Sequence, residues 1–223
     1  QRDTQQRRRQ RDDQRDRGAS QRDPAPDLVI LTEDQPLPRP AQARPVPLTL
    51  AHTEGMFAAA ADPELWRWTL TNIASIEDMR VYIESALAAQ RAGAALPFAT
   101  LDVSTGEVIG STRFGNIDTS NRRVEIGWTW LRRDRQRTAC NTEAKFLMLS
   151  HAFDVLGCIR DELKTDALNQ QSRTAILRIG ATEEGILRAH MITATGRVRD
   201  SVMYSILDRE WPDVRVRLEA SLR

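Results

Sequence analysis

The stretch VEIGWTWLRRDRQRTACNTEAKF, Val124–Phe146, decides how the chain folds. Its first part alternates: Val124, Ile126, Trp128 and Trp130 fall on one side of a strand, and Glu125, Gly127 and Thr129 on the other. A loop carrying Arg132, Arg133, Arg135 and Arg137 follows, and a helix opens near Asn141 or Thr142. The first N–H groups of a helix have no partner within it, and its dipole leaves partial positive charge there. Strand, basic loop and helix N-terminus in that order form a ready anion site.

Upstream, the spacing predicts a short helix over Thr53–Ala61 and a longer one after Ser75. Ser75 with Asp78 reads as a capping box, Met79, Tyr82, Ile83, Ala86 and Leu87 recur at helical spacing, and Gly93 ends the run. Phe98–Val103, a turn at Ser104-Thr105-Gly106, Glu107–Phe114 and Arg123–Leu131 read as a three-stranded meander. Downstream come a helix over Asn141–Leu156 with Gly157 past its end, a strand at Ile159–Thr165 and a helix over Ser172–Ile179 closed by Gly180. Strands at Glu184–Ile192 and Val198–Leu207 then flank a turn at Ala194-Thr195-Gly196. A strand–helix–strand unit inside an otherwise antiparallel set predicts an α/β (α+β) fold: a mixed, mostly antiparallel twisted sheet flanked by helices.

Outside that core the composition changes. Residues 1–23 are almost only Gln, Arg and Asp, with nothing apolar to bury, and read as a disordered tail. Residues 24–47 are proline-rich and read as a linker, with room for a short edge strand near Leu28–Leu31. The folded domain is expected over 48–212, with a helical tail over 213–223. Net charge is +1, and Asp interleaves with the tail's Arg, so nucleic acid is not an expected partner. Cys140 and Cys158 are too few for a disulfide framework or a thiolate metal site, so no metal and a reducing, cytoplasmic setting are expected. No apolar run reaches the roughly 18–20 residues a membrane span needs, and no apolar stretch follows the charged start as in a signal peptide.

The central stretch resembles the GNAT superfamily of acyl-CoA N-acyltransferases. That family wraps coenzyme A pyrophosphate with a Gln/Arg-x-x-Gly-x-Gly/Ala loop, and Gln136, Arg137, Thr138, Ala139, Cys140 and Asn141 match it. Glu125-Ile126-Gly127-Trp128, Thr142-Glu143-Ala144 and Asn169-Gln170-Gln171-Ser172 with Gly180 resemble the branch of ribosomal-protein N-terminal acetyltransferases. The likeness runs from about Leu48 to Trp211. Ala139 stands where the family has its first loop glycine, and Asn141 at its second small position. If position 139 takes positive φ, alanine costs on the order of 1 kcal/mol, weakens coenzyme binding about tenfold, and Ala139→Gly tightens it.

The resemblance implies acetyl transfer from acetyl-CoA to a primary amine, on a protein N-terminus or a small molecule, by direct attack on the thioester. Without turnover, the same likeness would fit an acyl-CoA-binding regulatory protein. It implies coenzyme contacts from Trp130, Leu131, Gln136–Thr142 and Asn169. It also implies an oxyanion donor in the backbone near Trp130–Leu131, and a proton donor to the leaving thiolate at Ser172. Glu125, opposite the two tryptophans, is the candidate base, with a cross-strand ion pair as the competing role. Ser172 would otherwise cap its helix, and Asn169 would otherwise form a turn. The early helices and final hairpin would bind the acceptor, and a homodimer is left open. Cys140 needs no covalent role, His151 and His190 read as structural or surface residues, and Glu143 as a favourable charge at the helix start. Asp161 shares a strand face with Ile159 and Leu163, so it should pair with an arginine or sit where the strand is irregular.

Overall fold

Alternation and glycine punctuation build the meander where the sequence places it. A computed structural model describes residues 41–222. In chain order it contains β1 (Ala43–Pro47), α1 (Thr53–Ala59), α2 (Ile76–Arg91), β2 (Leu96–Asp102), β3 (Val108–Asp118), β4 (Arg123–Leu131), α3 (Cys140–Ser150), β5 (Arg160–Asp166), α4 (Gln170–Arg178), β6 (Thr182–Ile192), β7 (Val198–Leu207) and α5 (Trp211–Ser221). The strands form one sheet in the order β1-β2-β3-β4-β5-β7-β6. Every pairing is antiparallel except β4 with β5.

Helices α3, α4 and α5 cover one face of the sheet over Phe98, Phe114, Val124, Ile126, Leu163 and Tyr204. Helices α1 and α2 cover the other through Met56, Met79, Ile83, Ala99 and Trp130. Ser75 and Asp78 do form a reciprocal capping box at the start of α2, and Gly93, Gly157 and Gly180 take positive φ past three helix ends.

Two features of the sheet shape the site. The parallel pairing of β4 with β5 covers only Arg123–Glu125 against Arg160–Glu162, so the strands part beyond Glu125 and leave a gap toward their C-terminal ends. β4 is also bulged. Arg113 pairs with Gly127 and Ser111 with Trp130, so Trp128 and Thr129 together face Thr112. Trp128 takes up the extra residue at φ 49°.

The bulge overturns the simple alternation. Trp128 packs its ring against Gly115, whose register partner is Glu125, and Trp130 packs on Trp66 with ring centroids 5.5 Å apart. Both tryptophans therefore share Glu125's face instead of opposing it. Thr129 turns to the α3 face, where its Oγ1 meets Thr112 Oγ1 at 2.9 Å.

Other boundaries differ as well. Residues 43–47, read as linker, form the edge strand β1, where Pro45 and Pro47 are tolerated because only one side of the strand pairs. Residues 213–222, read as a tail, pack Val214, Leu218 and Leu222 into the core. The helix read over Asn141–Leu156 ends its α-helical part at Ser150 and continues as a π-turn, His151–Val155. The expected tail over 1–23 and the strand near Leu28–Leu31 lie outside the described residues.

Candidate active site

Helix α3 begins at the mouth of the β4/β5 gap. The backbone N–H groups of Arg137, Thr138, Ala139, Asn141 and Thr142 donate to no protein acceptor among the described residues, while Cys140 N–H reaches Thr138 Oγ1 at 3.3 Å. Thr138 Oγ1 in turn donates to Arg135 O at 2.8 Å. Unpaired N–H groups at a helix N-terminus are what a pyrophosphate needs.

Ala139 has φ −68°, an ordinary right-handed value, so the expected alanine strain is absent. The left-handed position is Arg137, at φ 61°. The tightening expected for Ala139→Gly therefore loses its reason.

Only part of the loop's positive charge is free. Arg132 pairs with Asp134 and Glu107, Arg133 with Asp62, and Arg135 with Asp102 and Asp134. Arg137 is exposed and has no carboxylate partner. A second unpaired guanidinium comes from the end of α4: Arg178 Nη2 lies 3.3 Å from Thr142 Oγ1, at the start of α3. Nothing in the sequence marks Arg178, because helix packing brings it there.

Gln136 bridges the mouth of the gap. Its Nε2 donates to Leu131 O at 2.9 Å, and its Oε1 accepts from Gln171 Nε2 at 3.1 Å. The end of β4, the loop and the start of α4 are thus brought together, as the motifs imply. Asn169 caps α4, accepting from Ser172 N at 3.1 Å. Ser172 is therefore not the cap, and its hydroxyl makes no hydrogen bond among the described residues.

On the opposite face of the sheet, Glu125 is buried. Its Oε2 accepts from Asn116 Nδ2 at 2.6 Å and from Lys164 Nζ at 2.8 Å. This is the ion pair named as the competing role, although its partner reaches across the gap from β5. Trp128, 40% exposed, forms the adjacent wall. The guanidinium of Arg113 lies 4.9 Å from its ring, and Lys164 Nζ lies 5.9 Å from it. An open depression of about 600 Å³ lies elsewhere, around Asp118, Thr119 and Arg123 at the other end of β4.

A family model described as an acetyltransferase (GNAT) domain matches residues 45–182. The chain belongs to the GNAT acetyltransferase family. It is 30% identical to an uncharacterised N-acetyltransferase, p20, of Bacillus licheniformis over 68% of this chain and 84% of that protein. YdaF of Bacillus subtilis, by name a ribosomal N-acetyltransferase, is 33% identical over 48% of this chain and 57% of its own. A GCN5-related N-acetyltransferase from Brucella melitensis superposes with a TM-score of 0.78 at 31% identity, covering 90% of this chain and 88% of that one. The GNAT fold, an acyl-CoA-dependent acetyltransferase activity and a likeness to the ribosomal branch are therefore shown.

In this GNAT chain the two sheet faces carry different polar groups. The α3 face holds the anion loop, and a buried polar cluster lies behind it. Lys145 Nζ sits 2.7 Å from Thr129 Oγ1, and burial pulls its pKa down to about 8. Asp161 is fully buried with neither carboxylate oxygen hydrogen-bonded, and desolvation raises its pKa well above the usual range. Its chief counter-charge is Lys145 rather than an arginine. Glu143, at the start of α3, accepts from the amides of Gln42 and Ala43 at 2.7 Å each and ties β1 to the helix. Cys140 is buried beneath the loop, consistent with a structural role. Among the described residues no helix is long and apolar enough to cross a membrane, and no group of His, Cys, Asp or Glu could hold a metal ion.

Proposed function

We propose that the protein transfers the acetyl group of acetyl-CoA to a primary amine by direct attack. The observation that carries this reading is the run of unpartnered N–H groups over Arg137–Thr142, beside two unpaired arginines, at the mouth of the gap between β4 and β5. Acetyl-CoA would supply the activated thioester. Gln136–Thr142 with Arg178 would hold its pyrophosphate, and the gap edges at Trp130 and Leu131 would flank its pantetheine arm together with Asn169.

The amine nitrogen forms a bond to the thioester carbon, the C–S bond breaks, and the thiolate takes a proton. Ser172, whose hydroxyl is free to donate, is the proposed source of that proton. Backbone N–H groups near Trp130–Leu131 are the proposed oxyanion donors. Glu125 is the proposed acceptor of the ammonium proton. An incoming ammonium can replace Lys164 as its cationic partner, since both present N–H donors of the same charge.

The regulatory, non-catalytic reading drew on the departures at both Ala139 and Asn141, and the φ of −68° at Ala139 answers the strain part of that argument alone. Release of free CoA thiol from acetyl-CoA across a panel of amines and peptides tests the proposal. Retained CoA affinity with no turnover would leave a binding protein, and no CoA affinity would sink both.

A further inference from the structure

The face of the sheet that carries Glu125 also carries Arg113, Lys164, Asp166, Arg197 and Arg199 near the gap. Register sets this: Arg113 stands opposite Gly127, two residues from Glu125, and Asp166 opposite Ser201, two residues from Arg199. Two ion pairs account for part of the charge, Lys164 with Glu125 and Arg197 with Asp166. Arg113 and Arg199 remain, each 7% exposed and with no carboxylate in ion-pair range among the described residues. Arg199 at least donates to Ser201 Oγ at 3.1 Å and Trp68 O at 3.4 Å.

Among the described residues the Arg113 guanidinium donates to nothing. Its Nε is buried without a partner among the described residues, and the guanidinium lies over the rings of Tyr82 at 5.1 Å and Trp128 at 4.9 Å. The rings stabilise the charge but leave the planar fork of N–H donors unused. A buried guanidinium with no acceptor is costly, and the acceptor that suits its fork is a carboxylate or phosphate held by two parallel bonds. Next to it stands Trp128, the most exposed side chain of this wall, on the same face as Glu125.

We infer that the acceptor is a small primary amine bearing a carboxylate or phosphate, whose anionic group docks on Arg113 while its amine meets Glu125. This rests on the amine-acetylating reading above and names its substrate class. Arg199 adds positive charge behind the same cleft, so neutral and cationic amines are discriminated against.

Matched pairs test this: β-alanine against β-alaninamide, and phosphoethanolamine against ethanolamine, with CoA thiol release as readout. The anionic member of at least one pair is expected to have the higher kcat/KM, and which pair shows it separates carboxylate from phosphate. Arg113→Gln should raise KM for that acceptor about 10- to 100-fold, the scale of a lost charged hydrogen bond, and leave CoA affinity unchanged. Arg113→Lys keeps the charge, loses the fork and should recover only part of the loss. Equal rates within both pairs, or an equal effect of Arg113→Gln on both members, overturn the inference.

Calorimetric titration of the CoA-bound protein with succinate and inorganic phosphate needs no turnover. Binding of either that weakens at least tenfold in Arg113→Gln supports the anion site even if no amine is acetylated, an outcome that would sink acetyl transfer alone. No binding of either anion overturns the site. A thermal melt of each variant shows whether a null result comes from unfolding; if Arg113→Gln does not fold, Arg113→Lys carries the comparison.

Discussion

Lys145 Nζ lies 2.7 Å from Thr129 Oγ1, so the helix that follows the proposed pyrophosphate loop is tied directly to the bulge of β4. Thr129 follows Trp128, and the bond therefore links the α3 face of the sheet, with the proposed coenzyme loop, to the wall of the proposed acceptor site. Burial lowers the pKa of Lys145 from 10.5 to about 8. Between those values the unfolded chain holds a proton that the folded lysine has lost, so stability rises with pH from about 8 to 10.5. Urea titrations across that range should show the rise, with a ceiling of about 3 kcal/mol from the 1.36 kcal/mol per pK unit. Lys145→Met should flatten it. An unchanged slope in the variant would place the titration elsewhere.

Asp161 runs in the opposite sense. Its folded pKa is raised, chiefly by desolvation, so the folded carboxyl holds its proton after the unfolded one has released it. Stability is therefore lost as pH rises above about 4, until the folded carboxyl also ionises. Asp161→Asn keeps the shape and cannot ionise. Its melting temperature should match the wild type near pH 4 and exceed it at pH 7 to 8, by a margin that widens as pH rises. A variant less stable than wild type at pH 7 would mean that Lys145 needs the charge.

The loop arginines divide by their partners. Arg137 and Arg178 are unpaired, whereas Arg132 and Arg133 are held by Asp134, Glu107 and Asp62. Arg137→Ala and Arg178→Ala should each weaken CoA binding about three- to tenfold at low salt, and by less at 0.5 M salt as screening removes the term. Arg132→Ala and Arg133→Ala should change it less than about twofold, since an exposed ion pair contributes little. Equilibrium titration with CoA at both salt concentrations compares all four.

Much of this was legible in the sequence, and the exceptions have physical causes. β4 runs over Arg123–Leu131 as the alternation indicates, because one apolar face and flanking loops fix its ends. The Ser75–Asp78 box and the glycines past three helices are local signals that need no tertiary context. The bulge at Trp128 is different. It is an offset between two strands, set by how β3 meets β4, and β4 alone does not encode it. The same holds for Arg178 at Thr142, and for Arg113 between Tyr82 and Trp128, which come from distant parts of the chain. β1 was hidden because prolines usually exclude a strand, and an edge strand is the exception.

Gly115 makes the seat of Trp128 testable. A Cβ there would overlap the ring of Trp128, coming within 2.6 Å of Cη2. Gly115→Ala should displace the ring, loosen its contact with Arg113 and raise KM for the acceptor about tenfold, a scale set by cation–π and packing losses of one to two kcal/mol. CoA affinity should not move, because the loop lies across the sheet. A parallel loss of CoA binding would show that the substitution disturbs β3 and β4 as a whole.

Glu125 carries the last prediction. Its carboxylate is held by Asn116 and Lys164, so a structural role and a proton-accepting role make different demands on the same group. Glu125→Gln is nearly isosteric but leaves Lys164 without its counter-charge, a loss that should lower stability whichever role is real. Lys164→Met removes the same ion pair from the other side and serves as the control. If Glu125 accepts the ammonium proton, Glu125→Gln should reduce kcat by about 100-fold or more. Lys164→Met should keep most of kcat. CoA affinity should be nearly unchanged in both. Equal losses of kcat in the two variants would leave Glu125 as an ion-pair partner only, and the amine would then lose its proton to water.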